Sequence, residues 1–163
     1  MLKKIERAQQ LLKKEAAVFR CPTCHEPMHL EGVGLICQQR HQFDLSKKGT
    51  LYFLNHGVQT EYNKKMFTSR GKMIQSGMYA PVLNKIMHYL PQNKTVVDVG
   101  CGEGSFLAEL SQAGLSGLKI GFDLSKEGIY LASNQPIDAF WCVADLTNLP
   151  FANEGLDTIL NIF

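Results

Sequence analysis

Four residues limit what this chain can fold into more than anything else in it. Cys21, Cys24, Cys37 and His41 run as Cys-x2-Cys-x12-Cys-x3-His, with Pro22 inside the first pair and Gly32 and Gly34 between the pairs. A structural zinc ion takes four thiolate or imidazole ligands in a tetrahedron, and a Cys-x-x-Cys turn delivers two thiolates to one ion. The second pair then closes the site. The remaining cysteines, Cys101 and Cys142, stand alone in apolar stretches, so the total of five reads as a metal pattern and not as a disulfide framework. A thioredoxin-like redox pair at Cys21 and Cys24 needs a long helix after the motif, which Pro27 and Gly32 forbid; His25 and His29 are the alternatives to His41 as fourth ligand. Met28-His29-Leu30 and Gly34-Leu35-Ile36 predict two short strands around a Glu31-Gly32-Val33 turn. So small a unit lacks a sufficient core, and bound zinc supplies folding free energy on the order of 10 kcal/mol.

The residues around this module are basic. Positions 1–72 hold 13 Lys and Arg against 6 Asp and Glu, a net of +7, while positions 73–163 hold 4 against 9, a net of −5. The split points to an anionic macromolecule docking on the first part. Residues 2–18, with Ile5, Leu11, Leu12 and Val18 among Lys, Arg, Glu and Gln, predict an amphipathic helix that packs on the zinc module, the alternative being a basic face that touches RNA or a membrane surface. Residues 45–72 mix Lys47-Lys48, Lys64-Lys65 and Arg70 with Tyr52, Phe53, Tyr62 and Phe67, a combination suited to single-stranded or looped RNA. Tyr52 and Phe53 equally suit packing under the zinc module. The N-terminal residues interleave charges with apolar residues, unlike a secretory signal, and no apolar run approaches the roughly 20 residues of a membrane span; the expectation is a cytoplasmic protein with no membrane partner.

The acidic half carries a different pattern. Thr95–Val99 predicts a buried strand, Gly100-Cys101-Gly102-Glu103-Gly104 a tight turn, and Ser105–Leu110 a helix. Glycines between strand and helix let backbone approach a ligand closely. Asp98 and Glu103 would repel a dinucleotide's pyrophosphate and suit a ligand bearing an ammonium and a sulfonium, S-adenosylmethionine. Leu118–Asp123 predicts a second strand ending in an acid about 20 residues on, the position that grips ribose hydroxyls in doubly wound folds, with Ser125 as the following helix cap. Ala139–Val143 predicts a third strand leading to Asp145, placed to accept an adenine amino group, and Leu146, placed to lie against the ring. A fourth strand is predicted over 156–163, with Asn161 near its carboxyl end. The fold class is therefore α/β: an N-terminal zinc ribbon followed by a Rossmann-like domain for a methyl donor. Its parts are a helix (1–18), a zinc ribbon (19–50), a basic connector (51–80) and the α/β domain with strands one to four (81–163).

With these residues in view, positions 19–163 resemble bacterial methyltransferases that modify N1 of a guanine in 23S ribosomal RNA, some linked to macrolide resistance. The most specific likeness lies in Phe19–Cys24 and Cys37–Asp44, similar to the family's zinc ribbon ligand for ligand. Ser69-Arg70 and Ser76–Pro81 are similar to the segment before the family's catalytic domain, and Tyr79 inherits a cofactor contact by that likeness. Asp98–Gly104 and Asp123-Leu124-Ser125 match cofactor motifs shared by many methyltransferases. The resemblance implies an S-adenosylmethionine-dependent enzyme with structural zinc, acting on an rRNA hairpin, with a homodimer left open and no residue assigned as the base. By the same likeness the ribbon (19–50) binds RNA; family members continue beyond the fourth strand, so 81–163 is expected to be the first half of a Rossmann-like methyltransferase domain, and the chain as written to bind zinc and to transfer methyl weakly or not at all. Two alternatives accompany this reading: a non-catalytic RNA-binding zinc-ribbon fragment, and a methyltransferase for a small molecule or protein.

Overall fold

The computed structural model describes residues 1–162. Its centre is a five-stranded, wholly parallel sheet in the order β4-β7-β6-β5-β8, formed by Thr50–Tyr52 (β4), Val96–Val99 (β5), Lys119–Asp123 (β6), Phe140–Val143 (β7) and Thr158–Leu160 (β8). From β7 to β8 this is the third-second-first-fourth order of a doubly wound domain, which reverses direction between β5 and β8. Alternation along each strand makes both faces apolar. Leu51, Val97, Ile120, Phe122, Phe140 and Cys142 enter one core, and Val96, Trp141, Val143 and Leu160 enter the other.

Helices cover one face: Lys64–Gln75 (α2), Ala80–Tyr89 (α3), Ser105–Gln112 (α4) and Lys126–Ala132 (α5), through Ile74, Leu83, Phe106, Leu107 and Ile129. The other face is covered by the N-terminal module. Helix α1 (Lys4–Glu15) runs into a 3-10 turn over Ala16–Val18, and the antiparallel strands Met28–Glu31 (β1), Gly34–Cys37 (β2) and Gln42–Asp44 (β3) follow. Ala8, Leu12, Met28 and Leu35 share a core with Val97, Ile120 and Phe140. Phe19, fully buried, lies edge-on to Phe140 with ring centroids 5.1 Å apart and packs on Phe53 at 5.7 Å and Phe151 at 5.9 Å. Backbone bonds from Arg20 N–H to the Pro150 carbonyl (2.9 Å) and from Ala152 N–H to the Val18 carbonyl (2.8 Å) fasten the two parts.

As expected of a unit without a sufficient core, the ribbon buries its apolar side chains against other parts of the chain, here the main sheet. Two sequence expectations meet differences. The 51–80 stretch expected as a connector is about half structured, since its first residues belong to β4, which extends the main sheet beside β7, and α2 fills Lys64–Gln75. The fourth strand is confined to Thr158–Leu160, because Asp157 before it turns its carboxylate to accept the Thr95 N–H at 2.8 Å; of the expected 156–163, Phe163 lies outside the described residues.

Candidate metal centre and cofactor site

The ribbon turns converge the four sequence-predicted ligands. Cys21, Cys24, Cys37 and His41 place their donor atoms within 4.8 Å of one another. His41 Nδ1 lies 3.5 Å from both Cys21 Sγ and Cys37 Sγ, and Cys24 Sγ lies 3.6 Å from Cys37 Sγ. Those three separations match edges of a tetrahedral zinc site, in which Zn–S is about 2.3 Å and Zn–N about 2.0 Å. Burial pushes the Cys37 thiol up, yet hydrogen bonds involving His41, Cys24, Gln39 and Cys21 outweigh it and bring its pKa down to about 7. His25 and His29 stay outside the cluster, and His29 Nε2 faces Glu31 at 3.6 Å. With four protein donors the centre has no open position, so its chemistry is structural.

At the carboxyl ends of β5, β6 and β7 the glycine turn and its acids meet. Gly100, Gly102 and Gly104 have φ of 71°, 55° and 80°, left-handed conformations that side chains rarely adopt. A Cβ on Gly102 would lie 2.6 Å from the Arg70 guanidinium and 3.1 Å from the Phe67 ring, so α2 closes over this turn. At Gly104 the space is filled from below: a Cβ would lie 2.6 Å from Trp141, and packing accounts for glycine there. Asp123 accepts the Gly102 N–H at 2.9 Å on one oxygen and the Ser125 N–H at 2.7 Å on the other, fixing the turn to the start of α5. The Ser125 side chain in turn caps α5 by accepting the Gly128 N–H at 3.1 Å.

Glu103 is almost wholly buried. One oxygen accepts from Arg70 at 2.8 Å, and the other, Oε1, is buried with no hydrogen-bond partner among the described residues. Such an orphaned acceptor is costly unless a donor reaches it. Asp98 beside it is 3% exposed. Burial pushes its pKa up to about 7; Arg70 pulls the other way, and Asp123 and Glu103 add to the rise. A cluster of crowded, desolvated carboxylates favours a cationic ligand, so the residues present fit an ammonium and sulfonium donor.

Of the remaining predicted contacts, Asp145 and Leu146 follow β7 and Asn161 follows β8, while Tyr79 precedes α3. Asp145 Oδ1 accepts from both the N–H and the hydroxyl of Thr147 at 2.8 Å, bonds that hold its carboxyl below the usual range. Leu146 beside it is exposed, Tyr79 packs edge-on against Phe106 at 5.4 Å, and Asn161 is exposed just past β8. Phe67 and Arg70 are absent from the sequence-predicted site. An arginine three residues from an aromatic on a helix, in a chain whose glycine turn is acidic, is the signal that could have found them.

Because the folded-state pKa of Asp98 lies above that of an unfolded aspartate, near 4, the folded chain holds a proton there that the unfolded chain releases. Stability from this group is greatest below about pH 4 and falls as pH rises to about 7. Asp98→Asn removes the ionisation, so its melting temperature should gain on that of the parent by about 3 °C between pH 6 and pH 8.5. Thermal unfolding of both proteins at the two pH values checks this; a constant difference contradicts a raised pKa.

The comparisons agree with this architecture. Residues 19–55 match the zinc-ribbon profile described as RlmA, N-terminal, and residues 96–163 match a profile described as Methyltransferase domain. Over 159 residues the chain is 38% identical to YxjB of Bacillus subtilis, provisionally named a 23S rRNA (guanine-N(1)-)-methyltransferase, covering 90% of this chain and 56% of the relative. It is 26% identical over 159 residues to the 23S rRNA (guanine(748)-N(1))-methyltransferase of Streptomyces fradiae, covering 93% of this chain and 57% of that one. The chain thus spans about half the length of the curated relatives it matches. A crystal structure from Methanococcus maripaludis, provisionally described as an S-adenosyl-L-methionine-dependent methyltransferase, shares the fold with a TM-score of 0.54 at 17% identity, over 65% of this chain and 52% of that one.

Proposed function

From a chain that joins an RlmA-type zinc ribbon to part of a methyltransferase domain, we propose a role in S-adenosylmethionine-dependent methylation of guanine N1 in large-subunit ribosomal RNA, in the cytoplasm. The observation that carries this reading is the placement of Asp98, Asp123 and Asp145 at the carboxyl ends of three adjacent parallel strands, around a glycine turn held in left-handed conformations. In open α/β sheets ligands bind at that edge. Among the described residues no helix is long and apolar enough to cross a membrane.

On this reading the donor contacts come from Tyr79, Asp98, Gly100, Gly102, Glu103, Gly104, Asp123, Asp145, Leu146 and Asn161. The bound donor supplies an electrophilic methyl group. Asp98 and Glu103 supply negative charge toward its cationic end, and Asp123 is the ribose candidate, its carboxylate already oriented by two backbone N–H groups. The two zinc-bound turns hold the ribbon surface in shape for an rRNA hairpin. Guanine N1 carries a proton and lies inside a base pair, so the base must leave its stack and lose that proton as the N1–methyl bond forms. Helix α2 closes water away from the turn through Phe67.

The test incubates the chain with labelled S-adenosylmethionine and a 23S rRNA transcript, then runs reverse transcriptase along the product. Methylation at N1 blocks pairing, so whatever label enters the RNA, at the weak level expected of the chain as written, should come with a new stop one base before a single guanine. Label that enters protein or small molecules instead, or RNA labelled without a stop, contradicts the assignment.

A further inference from the structure

A concave surface of about 620 Å³ lies between α1 and the loop 133–139, apart from the donor site. The segments that line it, Lys48-Gly49 and Ser133–Ala139, precede β4 and β7, whereas the glycine turn, Asp123 and Asp145 follow their strands or end them. In a parallel sheet those are opposite edges. Its walls carry Lys4, Arg7 and Lys14 from α1 and Lys48 from the turn before β4. Packing holds that turn against the helix: Gly49 has φ of 76°, and a Cβ there would lie 2.8 Å from the Lys4 carbonyl.

These cations lack acidic partners. None of the four has a carboxylate within salt-bridge distance among the described residues, where the ion pairs are His29–Glu31, Arg40–Glu31 and Arg70–Glu103. The one acid lining the groove is Asp138, which acts on Lys119. Lys4 donates to the Ser133 carbonyl and to Asn134 Oδ1, each at 2.6 Å, both neutral acceptors. Burial, then Lys48 and Arg7, hold its ammonium below the usual lysine range. Concentrated positive charge with no internal counter-ion favours an external polyanion.

The geometry points to the occupant. Arg7 and Lys14 are seven residues apart on one helix, about 10 Å along its axis, a span of about three nucleotides at 3.4 Å per nucleotide. Lys48 lies over the half-exposed ring of Tyr130 at 5.3 Å, so an aromatic platform adjoins the cations. A membrane surface fits less well, since Ala8 and Leu12, the apolar face of α1, are already buried against the sheet. We infer that the groove between α1 and the loop 133–139 binds the phosphate backbone of an RNA strand, as a second contact outside the zinc ribbon and the donor site. The assignment rests on the RNA-directed reading above and extends it to a specific surface.

The test compares the zinc-loaded chain with the triple variant Arg7→Gln, Lys14→Gln, Lys48→Gln, all at exposed positions. Binding to a fluorescent 23S rRNA hairpin is measured across a salt series, and circular dichroism establishes that the variant is folded. The variant is expected to bind about tenfold to a hundredfold more weakly at 0.1 M salt, with the slope of log affinity against log salt smaller by about two to three. Equal slopes and affinities for the two proteins overturn the groove. Unchanged RNA binding accompanied by lost association with phosphatidylserine vesicles overturns it in favour of a membrane. Guanine methylation with an unaltered salt slope removes the groove while leaving the function; a reduced slope in a chain that binds no methyl donor keeps the groove and removes the function.

Discussion

Stripping zinc from the chain is expected to red-shift the fluorescence of Trp141, which sits on the sheet face opposite the ribbon. The chain contains one tryptophan, 4% exposed among the helices that cover that face. The metal centre is remote from it across the sheet, but the ribbon is the roof of the other core. Cys21, Met28, Leu35 and Cys37 are buried together with Val97, Ile120, Phe122 and Phe140. Structural zinc contributes about 10 kcal/mol to folding, comparable to the 5–15 kcal/mol total stability of an ordinary domain. Its loss therefore removes the roof and leaves an apolar sheet face in water. Cys37→Ser should reproduce the result without chelator. Emission of Trp141 that stays unshifted while the ribbon signals melt would show two independent domains and contradict the shared core.

Arg70→Ala should be the most damaging single substitution on the helical side. Its guanidinium is mostly buried, donates to Glu103 at 2.8 Å and reaches the Cys101 carbonyl at 3.4 Å, and its charge lowers the proton affinity that burial and the neighbouring acids raise at Asp98. Removing one partner of a buried pair leaves an uncompensated charge and costs about 3 kcal/mol, or roughly 6–12 °C in melting temperature. The cost should grow with pH, because Asp98 ionises near pH 7 and adds a further negative charge beside Glu103. Glu103→Gln in the Arg70→Ala background removes the stranded charge and should recover most of the loss. A double variant no more stable than Arg70→Ala would show that the arginine acts through packing on Phe106, 5.6 Å away, and not through charge.

What could be read from the sequence was local. The glycine turn, its acids and the strands of the βα units follow from apolar runs bounded by turn residues, and the three zinc-binding cysteines follow from spacing, whereas the choice of His41 over His25 and His29 needs the fold. The rest depends on contacts that spacing does not encode. Strand β3 is three residues long, with Gln42 and Asp44 exposed on either side of Phe43, and gives no periodic signal. Strand β4 looks like part of a polar connector because its partner, Trp141–Val143, is some 90 residues away. Gly104 reads as a ligand-approach glycine, yet Trp141 fills the space a side chain would take. The closure of α2 over Gly102 by Phe67 and Arg70 joins elements 30 residues apart, and only their packing reveals it.

The central claim is that the carboxyl edge of β5, β6 and β7 holds a cationic methyl donor against Asp98. Calorimetric titration of the zinc-loaded chain with S-adenosylmethionine tests it most directly. The expected result is one site that tightens between pH 6 and pH 8, as the cation draws the Asp98 proton off, and that weakens about tenfold to a hundredfold in Asp98→Asn at pH 8. No binding, or binding equal in both proteins and flat across that pH range, would contradict the account.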